Sequence, residues 1–264
     1  MRWQGFYRPK AMSISEIENL VAEYQSLTRG MVDYAKYAYY AITHHSTAIE
    51  GSTLTENQVI NLLEYGKTAP SKPFEHHQMA FDHYHALVFV AAEAAQQKNV
   101  TVRLIQYIAA KVMHGTGGVI NAMLGTYDTS KGDLRLSSVR AGTRTFPDYK
   151  KVGTLLETFC AETNENIKKA ETLEEKCKAA FKAHFDLVSI HPFGDGNGRT
   201  SRLIMNYLQA YFGLPLSVTY KEDRLKYIDA LENARKKEDL QPFYDFMFQQ
   251  YAKFLKKEIA VLKQ

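Results

Sequence analysis

The sequence predicts a mainly α-helical chain with one small β interruption, on three observations. Apolar residues recur at three- and four-residue spacing over most of the 264 positions, the period of helices that bury one face. Ser13, Thr55, Thr101 and Thr172 stand where those runs begin, the place of an N-cap. Between 125 and 147 the helical period fails. There Gly125, Gly132, Gly142, Asp128, Asp133 and Pro147 separate short β-prone pieces such as Leu134-Arg135-Leu136 and Ser138-Val139, which reads as a hairpin.

Taken in order, Ser13 with Glu16 forms a capping box for a helix carrying Ile17, Leu20, Val21, Tyr24 and Leu27 as far as Gly30. A second helix is expected over 31–50, rich in Tyr and Ala, with Gly51 as its C′ residue. Thr55 caps a third, with Val59, Ile60, Leu62 and Leu63 inside and Gly66 after its last turn. The prolines of 67–73 mark a loop. Pro73 opens a long helix to about residue 97, and Thr101 one that stops near Gly115. The long helix carries His76, His77, His83 and His85, expected on its polar surface because no pair with a partnering acid stands out. Pro147 begins a helix to about 165, and the polar run 164–169 is expected as a solvated helix end and turn. Thr172 with Glu175 boxes the next helix, whose apolar side is Phe181, Phe185, Leu187, Val188 and Ile190. Helices to Gly213 and over about 221–236 and 240–260 complete the chain.

Composition narrows the function classes. With 45% hydrophobic and 23% charged residues the chain is an ordinary globular protein. A net charge of +4, spread along its length, is too mild to argue for nucleic acid. No apolar run approaches a membrane span, and the N-terminal residues lack a leader's apolar core, so the expected location is cytoplasmic. Cys160 and Cys177 have neither disulfide-framework nor metal spacing and are expected as reduced core thiols.

The chemistry concentrates in His191-Pro-Phe-Gly-Asp-Gly-Asn-Gly-Arg-Thr-Ser-Arg202. Gly196 and Gly198 allow a turn whose successive N–H groups feed a helix N-terminus, an anion-binding arrangement. Arg199 and Arg202, three apart, share one helix face and can grip phosphate oxygens. Asp195 offers the hard oxygen that Mg²⁺ prefers. His191 stands just outside the turn, where an imidazole can act as general base.

This stretch resembles the Fic family pattern His-x-Phe-x-Asp/Glu-Gly-Asn-Gly-Arg-x-x-Arg at every fixed position. The resemblance implies a Fic-type helical bundle with a small β-hairpin flap before the catalytic helix-loop-helix. It also implies an adenylyltransferase that moves AMP from MgATP to a Ser, Thr or Tyr hydroxyl of a target protein. His191 is then the base and Asp195 the metal ligand. Gly196, Asn197, Gly198, Arg199 and Arg202 hold the nucleotide, and Leu134, Arg135 and Val139 belong to the flap that docks the target. Ser46, Glu50 and Gly51 match the family's inhibitory pattern Ser/Thr-x-x-x-Glu-Gly/Asn, ahead of the main motif as in class II members. That places Glu50 against Arg202, where the γ-phosphate would sit.

His184 is expected in a packed, hydrogen-bonded role. Residues 1–30 are read as an N-terminal helical extension and 31–264 as the Fic domain, with the inhibitory helix at about 31–51. Gly198 argues against the Doc-like kinases, which carry lysine there. Two alternatives stay open: a hydrolase removing AMP from modified protein, and a nucleotide-binding regulatory module with little turnover. Homo-oligomerisation is also open, since Tyr34, Tyr37, Tyr39 and Tyr40 suit either core or interface.

Overall fold

The computed structural model describes residues 12–31, 34–141 and 144–264. Ten α-helices lie among them: α1 Ile14–Thr28, α2 Tyr34–Ile49, α3 Glu56–Tyr65, α4 Phe74–Ala94, α5 Val102–Val112, α6 Val152–Lys169, α7 Leu173–Ile190, α8 Asn197–Tyr211, α9 Arg224–Lys237 and α10 Gln241–Leu262. The predicted caps act as such. Thr55 and Thr172 form reciprocal boxes with Gln58 and Glu175. Ser13 accepts from the Glu16 N–H, only the forward half of the expected box. No helix among the described residues is long and apolar enough to cross a membrane.

Helix α8 is the axis of the bundle. Helices α7, α4, α5 and α2 all pack on it, and every residue from Arg199 to Gln209 is buried. A helix buried all round is normally apolar all round. This one carries Arg199, Arg202, Asn206 and Gln209 inward, so it needs polar partners along its length. Leu203, Ile204, Tyr207 and Leu208 join Phe181, Leu187, Phe243, Met247 and Tyr251 in one continuous core. Ile17, Val21 and Tyr24 of α1 belong to that same core, through packing of α1 on α10. Cys160 and Cys177 are buried free thiols.

The β interruption is larger than the sequence suggests. Two antiparallel hairpins are present instead of one: β1 Val119–Ala122 with β2 Gly125–Asp128, and β3 Arg140–Ala141 with β4 Arg144–Thr145. The first begins ahead of Gly125, because the β-branched pair Val119-Ile120 extends the ladder back from a tight turn at Met123-Leu124. Gly142, expected in the hairpin, lies outside the described residues.

Other boundaries shift too. Helix α4 ends at Ala94, short of 97, and α6 continues to Lys169, so the 164–169 run is helical with Ile167 buried in the core. Met31 precedes α2 in a non-helical conformation. The largest correction concerns α4. His77 and His83 are buried, not surface residues, because they fall on the stripe that also carries Met79, Ala80, Ala86, Leu87 and Val90.

Candidate active site

Helix α7 stops at His191, which takes a left-handed conformation (φ 53°, ψ 59°) while its N–H still bonds to the Leu187 carbonyl at 3.0 Å. A non-glycine residue there carries backbone strain that surrounding contacts must hold. Several do. Phe193 is buried, its N–H donates to Asn197 Oδ1, and Asn197 Nδ2 donates back to the Phe193 carbonyl, both at 2.9 Å. Arg135 donates to the His191 carbonyl, and its own N–H bonds to the Pro192 carbonyl. The turn then closes through Gly196 (φ 76°), the N-cap of α8. A side chain at Gly196 would meet both the left-handed strain and the Met113 thioether.

The α8 N-terminus supplies the donors. Asp195 Oδ1 already accepts the Gly196 N–H at 2.6 Å, so the N–H groups left for an anion begin at Asn197 and Gly198, in the turn that a helix leaves unpaired. The Asn197 side chain is committed to Phe193, so its share in anion binding is the backbone. Arg199 is 2% exposed. Its Nη2 lies 3.1 Å from Met113 Sδ and 3.6 Å from Asp195 Oδ2, Nη1 reaches the Val112 carbonyl at 3.4 Å, and Nε has no hydrogen-bond partner. Burial pulls the Arg199 pKa down, against Asp195 and Glu50, which support its charge. A buried guanidinium so weakly paired is suited to an incoming anion.

Arg202 is engaged from α2. Its Nε donates to Ser46 Oγ and its Nη2 to the Ser46 carbonyl, both at 2.9 Å. Nη2 also donates to Glu50 Oε1 at 2.7 Å. Glu50 keeps 33% of its side chain exposed. Burial opposes its charge, but Arg202, with Arg199 and Arg224 behind it, outweighs that and holds the carboxyl below the usual carboxylate range. The carboxylate approaches Gly198 so closely that any Cβ there would collide with Oε1. Gly51 follows with φ 106°, carrying the chain away. Arg224 Nε donates to the Ile49 carbonyl at 2.9 Å and caps the end of α2.

The predicted residues therefore converge: His191, Asp195, Gly196, Asn197, Gly198, Arg199, Arg202, Ser46 and Glu50 lie along one loop and the two helix ends that meet it. The flap residues are less uniform. Leu134 is half-buried against the core, Val139 accepts the Phe146 N–H at 3.3 Å, and Arg135 is fully buried on backbone carbonyls, with no surface to offer a target. Phe146 is a site residue that the sequence reading missed. Its ring stacks on His191 with centroids 3.8 Å apart and planes 20° from parallel. An aromatic residue directly before Pro147 was the available signal. Burial, aided by Arg135 and Arg144, lowers the His191 pKa to about 4 against the opposing pull of the Val188 backbone and Glu50, so the imidazole is neutral at neutral pH. His184 donates to or accepts from the Tyr227 hydroxyl at 2.9 Å inside the core.

The Fic/DOC family model matches residues 99–209, a span that includes Arg135, Phe146, His191 and both arginines. The protein adenylyltransferase Fic of Drosophila melanogaster is 32% identical over 212 residues, 80% of this chain but 40% of that protein; the chain thus spans about two-fifths of the length of the curated relatives it matches. Among solved structures, a Fic domain containing signaling protein from Bacteroides thetaiotaomicron superposes with a TM-score of 0.81 at 20% identity, covering 94% of this chain and 97% of that one. Fic-1 (residues 134–508) from C. elegans gives 0.75 at 24% identity, covering 94% and 71%. The chain belongs to the Fic/DOC family.

Proposed function

We propose that this protein is a protein adenylyltransferase held in check by its own Glu50. The carrying observation is that the loop headed by His191 leads into two buried arginines, one weakly paired and the other occupied by a carboxylate. ATP is the substrate: its phosphates meet the N–H groups of Asn197 and Gly198, with Arg199 on the β-phosphate and Arg202 on the γ-phosphate. The target hydroxyl gives its proton to His191 as its oxygen bonds to the α-phosphorus. The bond from that phosphorus to the β-phosphate oxygen breaks, and pyrophosphate leaves. Positioning and charge stabilisation supply most of the rate in such transfers.

Asp195 fits Mg²⁺. Its side chain is 71% exposed, with Oδ2 at a salt-bridge distance from Arg199 and Oδ1 on the loop backbone. Among the described residues no group of three His, Cys, Asp or Glu side chains clusters to hold a metal, which suits an ion that takes one carboxylate and several phosphate oxygens. Bound there, Mg²⁺ would neutralise charge developing on the phosphates.

In the resting protein Glu50 occupies the Arg202 fork that the γ-phosphate needs, and two anions compete for one guanidinium. The test uses α-³²P-ATP, a lysate as target source, and the Glu50→Gly variant with and without His191→Ala. Label should pass to protein with Glu50→Gly and not with the double variant, while calorimetry shows MgATP binding retained in both. Absence of transfer from Glu50→Gly, together with loss of label from pre-modified protein, would favour the hydrolase reading instead.

A further inference from the structure

The His191 imidazole has only a weak polar anchor. A general-base histidine is ordinarily oriented by a hydrogen bond to its second ring nitrogen. Here Nδ1 is buried without a hydrogen bond of good geometry, the Val188 backbone being the polar group that still favours its proton. What does contact the ring is Phe146, nearly parallel at 3.8 Å.

Phe146 is itself held from outside the motif. The Arg144 guanidinium lies over its ring at 4.5 Å and reaches Glu232 on α9 at 3.4 Å. Glu232 also takes Arg235 at 2.8 Å, and Arg235 Nε donates to Ser189 Oγ at 3.1 Å, two residues before His191. Hairpin and histidine are thus tied to the same helix from both sides.

We propose that Phe146 is a positioning residue: its ring clamps the His191 imidazole in one plane and shields the base from water, so that the lone pair faces the incoming hydroxyl. This rests on the reading of His191 as the base for AMP transfer. A flat face is required, because a branched aliphatic side chain fills the volume without defining the imidazole plane. The charged groups that act on the ring are Arg135 and Arg144 from the segment carrying Phe146, and Glu50 from the end of α2; none is removed by changing Phe146.

The experiment compares Phe146→Ala, Phe146→Leu and Phe146→Tyr in the full chain by two readouts. The first is NMR titration of the His191 imidazole, assigned by its loss in His191→Ala. The second is AMP transfer in the Glu50→Gly background with kcat and KM separated. With Phe146 present the imidazole should titrate near 4; in the Ala variant it should move toward its ordinary value of about 6.5. The Ala variant should lose roughly tenfold or more in kcat with KM for ATP little changed, since misplacement of a reacting group acts on the chemical step. Tyr should restore both readouts and Leu neither. Full restoration by Leu, or an Ala variant with unchanged titration and kcat, overturns the clamp. If titration shifts in Ala and returns in Tyr while no variant transfers AMP, the clamp stands and the proposed reaction falls.

Discussion

Arg135 donates from Nε to the backbone carbonyl of His191 at 2.8 Å, so a residue of the flap segment fixes the residue expected to do the chemistry. The rest of its fork is committed likewise: Nη1 to the Ser137 carbonyl at 2.7 Å and Nη2 to the Pro147 carbonyl at 2.6 Å. Burial draws its pKa down, with Tyr127 and Asp148 opposing. Three carbonyls on two segments thus share one buried cation.

Replacing Arg135 should therefore act on stability as well as rate. Arg135→Ala strands three carbonyls and should cost about 3 kcal/mol or more, at 1.5–3 kcal/mol for a typical bond to a charged group. Arg135→Lys should recover little, since a point charge cannot span the fork. Thermal unfolding checks both. A change in protein binding without any loss of stability would restore the docking role that the family resemblance implied.

What was legible in the sequence was local. The Thr172–Glu175 box, the exit glycines and the contiguous 191–202 loop each lie within a few residues, so the helices and most of the phosphate site could be read directly. Partners distant in the chain could not, save where a second motif supplied them, as the Ser46–Glu50 pattern did for Arg202 across 152 positions: Arg135 meets His191 across 56 positions, and Arg224 meets the Ile49 carbonyl across 175. Phe146 belongs to this class, as no periodicity points an aromatic residue at a histidine 45 positions on (191 − 146). His83 is different. It lies on the stripe of Met79, Ala86, Leu87 and Val90 and could have been assigned to the core by position, had residue type not been weighed above spacing.

Stability should fall with acid earlier than carboxylates alone would cause. Burial is the largest cause of depressed pKa values at His44 (about 4), His45 (about 3), His83 and His184. Each group's unfolded value is near 6.5. As pH drops below that, the unfolded chain takes up protons that the folded chain refuses. Their contribution is thus complete above about 6.5 and is lost as pH falls toward 4, by up to about 1.4 kcal/mol per pH unit for each. Tm should decline steadily from pH 7 to 5. His45→Gln should flatten that slope, since His45 Nδ1 accepts the Lys221 N–H at 3.3 Å and cannot do so protonated. A level Tm over this range contradicts the argument.

Gly198→Ala should change sign with the residue at position 50. Gly198 has no left-handed φ, so alanine in this helical turn is intrinsically favourable by about 0.5–1 kcal/mol. In the wild type the added Cβ drives Glu50 off Arg202, a loss of about 1.5–3 kcal/mol for a bond between charged groups, which outweighs the gain. In a Glu50→Gly background that clash is gone and the gain is opposed only by a small shift of Arg202 Nη1, 3.2 Å from the added Cβ. A double-mutant cycle by chemical denaturation measures the coupling; additive effects would mean that Glu50 does not rest on Gly198 in solution.

Glu50→Gly should raise AMP transfer strongly while lowering stability slightly. The carboxylate follows the last turn of α2, where the helix dipole disfavours negative charge. Glycine suits a helix end and offsets part of the lost Arg202 contact. Arg202 keeps its two hydrogen bonds to Ser46 in the variant, so the guanidinium stays in place and only its anion is removed. The γ-phosphate can then take the vacated position and bring the α-phosphorus into line with the incoming hydroxyl. Because a misplacement of about 1 Å can cost on the order of 100-fold, an increase of at least about tenfold is expected at saturating ATP. Arg202→Ala is the control: it also breaks the pair but deletes the γ-phosphate grip, and should not activate. Equal transfer by wild type and Glu50→Gly at several ATP concentrations would refute self-inhibition, whatever the fate of the reaction itself.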